Sequence, residues 1–246
     1  MNFIIIVNNL IAGVYVIIYS QYGMQIFFGN KETSFVPGQV SGTELLFISE
    51  TKKLLDLQNI VLLRQTHGTQ GYVITNVQEF SPYRHEGDYL ITDIPRIGLG
   101  IATADCLPII FYDKVKKIIA SAHAGWKGSV ARISERVVLD MQKVYGTKVC
   151  DIEVFFGPAA GMCCYEVSKE FFEHFTPQER SLVISEKGDK YYCDLTLYNK
   201  LRLQKLGVLS AAFNTDYNTC TICNTQFCSY RREKNSERQI TIVSLC

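Results

Sequence analysis

Three short segments of the chain each place one metal-binding side chain beside glycine, proline or a charged residue. The side chains are His67 in the run QTHG, Cys106 in the run TADCLP and His123 in the run HAGWKG. Imidazole and thiolate groups bind zinc and copper, and a site with three protein ligands leaves one coordination position for water or substrate. These residue types therefore predict a catalytic metal site formed by His67, Cys106 and His123.

The spacing of the three residues does not by itself establish a shared site. It matches neither a compact zinc finger nor the HExxH pattern of metalloproteases. Free cysteine is also among the most buried residue types and often packs without any reactive role. On residue chemistry alone, the alternative that Cys106 is an inert core thiol stays open.

Two further runs add to the three segments, namely GPAAGMCCYEV at residues 157–167 and SYRR at residues 229–232. Together, and in this order from about residue 60, the five segments resemble the laccase-domain family, also called the polyphenol-oxidase-like or multi-activity purine nucleoside phosphorylase family. The resemblance implies that His67, Cys106 and His123 bind one zinc ion. It implies phosphorolysis of adenosine, inosine, guanosine and methylthioadenosine, together with deamination of adenosine.

The chain departs from the family pattern in two places. Residues 22–42 lack the arginine, the glycine pair and the serine that usually precede the QxHG segment, which puts substrate contacts from that region in question. Ala159 and Met162 stand where the family has the first cysteine and second proline of GPCIGPCCY, so that Cys163 and Cys164 remain. Neither departure affects the expected metal ligands.

Asp105 and two arginines are the candidate catalytic residues. Zinc can supply hydroxide near neutral pH, and zinc deaminases use a nearby carboxylate to move protons, a role that Asp105 could fill beside Cys106. The alternative is that Asp105 forms a turn or orients a ligand. Phosphorolysis also needs bound phosphate, and guanidinium groups bind phosphate bidentately, which favours Arg231 and Arg232. Without the resemblance, the arginines would be a surface pair, with Lys127 or Arg64 as other basic groups.

His85 is a rival ligand or acid–base group. It lies with Glu86 and Asp88 in the run YRHEGD, which is equally typical of an ordinary polar turn. A copper-dependent phenol oxidase is the main alternative function. Multicopper oxidation needs further histidine-rich clusters, however, and the sequence holds 4 histidines. A non-catalytic zinc-binding protein is a third possibility.

Composition sets outer bounds on partners and location. The formal net charge is +1 and the basic residues are spread along the chain, which gives no argument for nucleic acid or an anionic membrane as partner. The apolar N-terminus has no preceding Lys or Arg and is interrupted by Asn8 and Asn9, so it predicts two strands rather than a signal peptide or membrane span. Purine nucleosides and phosphate are the expected partners, and the oligomeric state stays open.

The chain has 9 cysteines and no credible signal peptide, which favours free thiols in the cytoplasm. Cys220 and Cys223 form one CxxC motif, with Cys228 nearby. This motif could be half of a structural zinc site or a redox pair. Because there is no second CxxC, packing or incidental thiols are the preferred interpretation.

Apolar periodicity predicts a mixture of strands and helices. Strands are predicted over residues 3–7, 14–19, 60–63, 72–75, 97–103, 107–112, 118–122 and 151–156. Helices are predicted over residues 41–55, opened by a capping box of Ser41 and Glu44, and over 129–145, 168–175 and 196–206, with Gly146 and Gly207 ending two of them. This alternation gives an α/β or α+β fold. The resemblance implies a four-layer α/β/β/α sandwich with two central mixed sheets flanked by helices, as a single domain over residues 1–246.

Overall fold

A computed structural model describes residues 3–8, 15–21, 23–38, 42–80 and 83–246. Within these ranges the strands are β1 (Phe3–Asn8), β2 (Tyr15–Gln21), β3 (Met24–Phe28), β4 (Asn59–Leu62), β5 (Gly71–Val73), β6 (Tyr89–Thr92), β7 (Ile97–Thr103), β8 (Leu107–Asp113), β9 (Ile118–Ala124), β10 (Ile152–Phe156), β11 (Glu166–Val167), β12 (Ile184–Lys187), β13 (Lys190–Cys193), β14 (Phe213–Asn214) and β15 (Gln239–Leu245). The α-helices are α1 (Gly42–Leu54), α2 (Trp126–Val130), α3 (Ile133–Tyr145), α4 (Pro177–Val183), α5 (Leu195–Lys205) and α6 (Tyr230–Glu233).

Two mixed six-stranded sheets form the centre of the fold. The first has the order β1-β2-β3-β15-β7-β4, in which β4 runs parallel to β7 and the other neighbours are antiparallel. The second has the order β14-β10-β8-β9-β6-β5, in which the pairs β5/β6 and β10/β14 are parallel. The predicted pair of mixed sheets is therefore confirmed. A third sheet, β11-β13-β12, was not predicted because its strands are short and half-exposed.

The sheets pack face to face and the helices cover their outer faces. Leu99 and Val243 of the first sheet share one core with Ile110 and Phe155 of the second. Val137 of α3 belongs to a separate core on the other face of the second sheet. A third core, on the outer face of the first sheet, includes Leu54 at the end of α1. The order of layers is thus the predicted α/β/β/α.

The internal strands are rich in apolar residues and are buried along their whole length, because both of their faces are covered. In β8 the odd-numbered Ile109 and Phe111 face the α3 side, whereas Ile110 and Tyr112 face the other sheet. All seven residues of β7, β8, β9 and β15 are buried. Continuous apolar runs of this kind are typical of strands at the centre of a layered fold. The strands predicted over residues 97–103, 107–112 and 118–122 are confirmed.

The helix predicted over residues 129–145 is wrong at its N-terminal end. The chain forms α2, leaves the helical conformation at Ala131 and Arg132, and then begins α3. Arg132 has a φ of 69°, in the left-handed region, which redirects the chain between the two helices. The apolar spacing from Val130 to Ile133 continues the helical period across the break, so periodicity could not reveal it. The predicted end is confirmed, because Gly146 caps α3 with a φ of 65°.

The other helix predictions agree with the structure in position. Helix α1 covers most of residues 41–55, although the expected cap at Ser41 lies outside the described residues, as does most of the turn expected at residues 8–13. Helix α5 ends before Gly207, whose φ is 97°. The short helix expected over residues 168–175 is a 3₁₀ helix at Lys169–His174. Among the helices of the described ranges, none is both long and apolar enough to cross a membrane.

Candidate metal centre

The three predicted ligands come from two loops and the end of one strand, and they meet in one place. His67 follows β4, Cys106 lies in the short connection between β7 and β8, and His123 is the penultimate residue of β9. Pairing of Pro108 in β8 with His123 in β9 sets the thiol beside the imidazole. The Cys106 sulfur and one imidazole nitrogen of each histidine lie within 4.8 Å of one another. The rings of His67 and His123 are 4.7 Å apart and almost perpendicular, at 74°.

A buried carboxylate, Asp88, orients two of the three ligand segments. Its Oδ1 lies 2.8 Å from Nδ1 of His123 and accepts the backbone N–H of His67 at 2.9 Å. Its Oδ2 accepts the N–H of Gly68 at 2.7 Å and the hydroxyl of Thr66 at 2.9 Å. Because Nδ1 of His123 is bonded to Asp88, Nε2 is the nitrogen left for a metal ion. The sequence singled out Asp88 only as part of the YRHEGD run.

The pKa shifts fit a cation between these groups. Burial would raise the pKa of Asp88, but bonds from His123 and from the N–H of Gly68 lower it to about 2. Burial also opposes ionisation of Cys106, yet the adjacent His123 and His67 lower the pKa of its thiol to about 6. The pKa of His123 rises to about 9 despite burial, because the Cys106 thiolate and Asp88 are both negative. A divalent metal would take the place of the proton that the imidazole and the thiolate otherwise share.

The backbone around the site is specialised to bring the ligands together. His67 and Asp105 adopt left-handed conformations, with φ of 62° and 81°. Residues with side chains seldom adopt this region, and such positions concentrate at functional sites. A Cβ at Gly125 would lie 3.0 Å from the Cys106 sulfur and 3.1 Å from Cδ2 of His67, so a larger residue there would crowd two of the ligands.

Asp105 connects its own loop to neighbouring loops through hydrogen bonds. One carboxylate oxygen accepts the Thr221 hydroxyl at 2.7 Å, and the other accepts the backbone N–H of Arg231 at 2.6 Å. Its own carbonyl accepts the N–H of Ala160 at 2.9 Å. Both carboxylate oxygens are thus engaged by the protein, which favours the ligand-orienting alternative over proton transfer.

The three candidate ligands lie in a cavity of about 730 Å³. Its polar and aromatic lining includes Arg64, Gln65, Tyr83, Tyr230 and Arg238. Val36, Pro37 and Gly38 also line the cavity, so part of the divergent segment 22–42 does contribute to it. A cavity of this size suits a small organic ligand.

Arg231 and Arg232, the two predicted phosphate-binding arginines, do not line the cavity that holds the metal ligands. The Arg232 guanidinium donates to the carbonyls of Thr221, Ile222 and Phe227 at 2.6, 2.8 and 2.6 Å. Arg231 donates to the Glu166 carbonyl at 2.9 Å and lies over the Tyr165 ring, at a second and smaller depression. The guanidinium-bearing residues in the cavity lining are Arg64 and Arg238.

The remaining two histidines lie away from the ligand group. His85 donates through Nε2 to the Glu79 carbonyl, 3.1 Å away, and packs against Tyr72 and Phe80. His174 contacts the ring of Trp126 at 4.9 Å between centroids. The structure therefore brings His67 and His123 together with Cys106 and leaves His85 out of that group.

Residues 47–246 match the sequence model of a family described as multi-copper polyphenol oxidoreductase laccase. The chain belongs to this family. A purine nucleoside phosphorylase of Clostridium acetobutylicum is 31% identical over 206 residues, which are 80% of this chain and 81% of that protein. Adenosine deaminase RL5, from an unknown prokaryotic organism, is 34% identical over 189 residues, 72% of this chain and 71% of the relative.

A solved structure shows the same fold. The crystal structure of the Bacillus licheniformis hypothetical protein YfiH superposes with a TM-score of 0.80 at 26% identity, and the match covers 97% of this chain and 98% of that one. The family membership and the layered fold expected from the sequence motifs are both confirmed.

Proposed function

We propose that this protein is a zinc-dependent purine nucleoside phosphorylase that also deaminates adenosine. The observation that carries the proposal is the convergence of His67, Cys106 and His123 in a cavity of about 730 Å³. A relative named purine nucleoside phosphorylase, at 31% identity, and one named adenosine deaminase, at 34% identity, each match over most of their length and support the two proposed activities. Adenosine, inosine, guanosine and methylthioadenosine are the proposed nucleosides, with phosphate as the second substrate.

The donor set suits zinc. Two neutral imidazoles and one thiolate are borderline and soft ligands, and three protein ligands leave an open position. Zinc bound there would supply a Lewis acid and a water of near-neutral pKa. Asp88 fixes the His123 ring, and a bound zinc ion would itself keep the Cys106 sulfur ionised. We assign metal binding to His67, Cys106 and His123, and a positioning role to Asp88.

Phosphate is proposed to bind at the arginines of the cavity. Arg64 and Arg238 line the same cavity as the metal ligands. Arg64 is mostly exposed and pairs with Glu86 at 2.7 Å, a surface pair that an incoming anion can replace. The phosphate role of Arg231 and Arg232 stays a prediction of the resemblance, since neither residue lines the cavity that holds the metal ligands. Asp105 is proposed to hold the Cys106 loop in place.

Copper-dependent oxidation of phenols is the second candidate, and the description of the family favours it. Copper also binds imidazole and thiolate. The metal group contains two of the 4 histidines. His85 and His174 lie apart from it with different partners, so they form no histidine cluster for further copper ions. A zinc-binding protein without catalytic activity is the third candidate.

The free thiols of the structure support a cytoplasmic location as part of the proposal.

One assay separates these candidates. Purified protein is incubated with inosine and phosphate, or with adenosine alone, and the products and bound metals are identified. We expect hypoxanthine with ribose 1-phosphate from inosine, and inosine from adenosine, in zinc-loaded protein. Cys106→Ala and His123→Ala should lose both activities, whereas Cys150→Ser, at an exposed thiol, serves as the matched control. Copper-dependent phenol oxidation faster than nucleoside turnover would overturn the proposal.

A further inference from the structure

Four cysteines form a second cluster, on other loops than the metal centre. Cys163, Cys164, Cys220 and Cys223 place their sulfurs within 4.8 Å of one another. The sulfurs of Cys163 and Cys223 are 3.9 Å apart, although the residues are 60 positions apart in the chain. The sequence showed one CxxC motif and no second one. The structure supplies the missing half as two adjacent cysteines in the turn at residues 162–164.

The backbone brings these two loops together independently of the sulfurs. Ala159 forms a parallel bridge with Cys220, in which the Ala159 N–H donates to the Thr219 carbonyl at 3.1 Å and the Thr221 N–H donates to the Ala159 carbonyl at 2.9 Å. The N–H of Gly161 points at the Cys220 sulfur, 3.4 Å away. A Cβ at Gly161 would lie 3.1 Å from Cβ of Cys220 and 3.5 Å from the Cys163 sulfur. The cysteine loops are therefore packed as closely as glycine allows.

We propose that Cys163, Cys164, Cys220 and Cys223 bind a structural zinc ion, separate from the ion at His67, Cys106 and His123. Zinc in a tetrathiolate site has Zn–S bonds of about 2.3 Å in tetrahedral geometry, which puts the sulfurs about 3.8 Å from one another. Four mutually close sulfurs fit this arrangement. A disulfide would join a pair of sulfurs at about 2.05 Å, whereas all four cysteines are free and the Cys163 and Cys223 sulfurs lie 3.9 Å apart. Four ligands also close the coordination sphere, so this ion is structural.

Arg232 offsets the negative charge of this site and holds the loop that carries Cys220 and Cys223. A zinc ion with four thiolates is negative overall, and a nearby cation offsets that charge. The Arg232 guanidinium donates to the carbonyls of Thr221 and Ile222, which lie between Cys220 and Cys223. It also donates to the Phe227 carbonyl at the end of the same loop. One arginine thus fixes the loop that carries two of the four ligands and places a positive charge on it.

The cluster is connected to the metal centre through Asp105. Thr221, next to Cys220, donates its hydroxyl to the Asp105 carboxylate at 2.7 Å. Ala160, on the other cysteine loop, donates its N–H to the Asp105 carbonyl at 2.9 Å. Asp105 directly precedes Cys106, so the cysteine site braces the loop of one catalytic ligand from both sides. The second zinc is a positioning element for the first and does not depend on which reaction the cavity catalyses.

Metal analysis of variants tests the proposal. We expect two zinc ions per wild-type chain and one per chain in Cys220→Ser/Cys223→Ser. Cys106→Ala should also retain one, held by the cysteine cluster, and the exposed control Cys150→Ser should retain two. The cluster variant should melt roughly 5 °C or more below the control, as expected when a structural metal is lost. A cluster variant that keeps the wild-type zinc content would overturn the proposal, as would iron in place of zinc.

Thiol reactivity of the wild-type protein gives a second test that needs no variant. Cys163, Cys223, Cys150 and Cys246 are all exposed. With zinc bound, Cys150 and Cys246 should react promptly with a thiol reagent, whereas Cys163 and Cys223 should react at least tenfold more slowly until a chelator is added. Unfolded protein should show all 9 thiols without reductant. Prompt reaction of the cluster, or fewer thiols because of disulfides, would contradict a zinc site whatever the nucleoside assay shows.

Discussion

Asp88 is the residue through which the His67 and His123 segments are held together. Its oxygens accept donors from Thr66, His67, Gly68 and His123. Asp88→Asn keeps the shape but replaces one acceptor oxygen with an amide donor that faces other donors. We expect zinc affinity at the His67–Cys106–His123 site to fall about 10- to 100-fold, the usual effect of losing a carboxylate behind a metal-binding histidine.

Competition with a zinc chelator measures that loss. Asp56→Asn is the matched control, because Asp56 forms an exposed ion pair with Arg96 and does not line the cavity that holds the ligands. Unchanged affinity in Asp88→Asn would mean that the ring of His123 is held by its surroundings and not by the carboxylate.

The arginines offer a second prediction at the residue scale. If phosphate binds in the cavity, Arg64→Ala and Arg238→Ala should each raise the KM for phosphate in inosine phosphorolysis roughly 10- to 100-fold, as for a lost charge-assisted contact of about 1.5–3 kcal/mol. Adenosine deamination, which needs no phosphate, should change much less. Arg231→Ala and Arg232→Ala should depress both reactions together, because they disturb loops.

Initial-rate kinetics at varied phosphate concentration shows whether Arg64 and Arg238 or Arg231 and Arg232 bind phosphate. Arg96→Ala, at an exposed ion pair, is the control. The reverse pattern, with a selective rise in the phosphate KM for Arg231→Ala or Arg232→Ala, would support the assignment that the resemblance implies.

Residue types, motifs and the family resemblance were enough to predict that His67, Cys106 and His123 lie together, whereas Asp88 and the cysteine cluster depend on tertiary contacts. Asp88 has no local signature, since its donors lie 20 to 35 positions away in the chain. Cys163 and Cys164 become partners of Cys220 only through the bridge between their loops. Spacing rules for zinc sites describe ligands on one hairpin, and they do not cover two loops that meet in space.

At the scale of elements, glycine at the end of α3 has a clear energetic role. Gly146 adopts a φ of 65°, and its N–H closes the helix by donating to the Gln142 carbonyl at 2.8 Å. Gly146→Ala should lower the free energy of unfolding by about 1 kcal/mol, because alanine is strained in this conformation. Gly146→Asn should lose less, since asparagine tolerates the left-handed region.

Urea unfolding of the two variants checks this prediction. A Cβ at Gly146 would contact only the flexible Lys116 ammonium, at 3.3 Å, so a steric clash does not explain a difference between alanine and asparagine. Equal losses in both variants would show that backbone strain is not the cause.

Elements with a strong apolar period were predictable, and those defined by a change of backbone direction were not. Strands such as β7 and β8 follow from continuous apolar runs, and the end of α3 follows from a glycine. The separation of α2 from α3 depends on the left-handed Arg132, a residue type that carries no preference for that conformation. The strands of the third sheet are too short and too exposed to stand out in the sequence.

For the whole molecule, we propose that residues 1–246 unfold as one domain. Strand β15, near the end of the chain, lies between β3 and β7 of the first sheet. The core between the two six-stranded sheets contains residues from each sheet, so neither sheet can unfold without exposing it. The sequence has 1 tryptophan, Trp126, which lies in α2 and packs against Phe171. Its fluorescence and the far-UV circular dichroism should therefore change in one coincident transition with urea. Two separated transitions would indicate separate folding units.

Acid stability should depend on an ion-pair network that joins three helices. Glu179 of α4 accepts Arg202 and Lys205 of α5, both at 2.8 Å, and Arg202 also pairs with Glu135 of α3. Burial would raise the pKa of Glu179, but Lys205, the Thr176 N–H and Arg202 lower it from its ordinary value of 4.5 to about 2. Because the folded pKa is the lower one, this carboxylate stabilises the fold fully above pH 4.5 and loses its contribution as the pH falls towards 2.

Glu179→Gln should therefore cost on the order of 2 kcal/mol of unfolding free energy at pH 7 and progressively less below pH 4.5. Urea unfolding of the variant and the wild type between pH 3 and pH 7 measures the difference. Both proteins carry the same metal centre, so any loss of metal in acid cancels in the comparison. Glu173→Gln, at an exposed carboxylate outside this network, is the control and should leave the pH profile close to that of the wild type. A difference between Glu179→Gln and wild type that stays constant from pH 7 to pH 3 would mean that the loss comes from altered packing and not from the charge of Glu179.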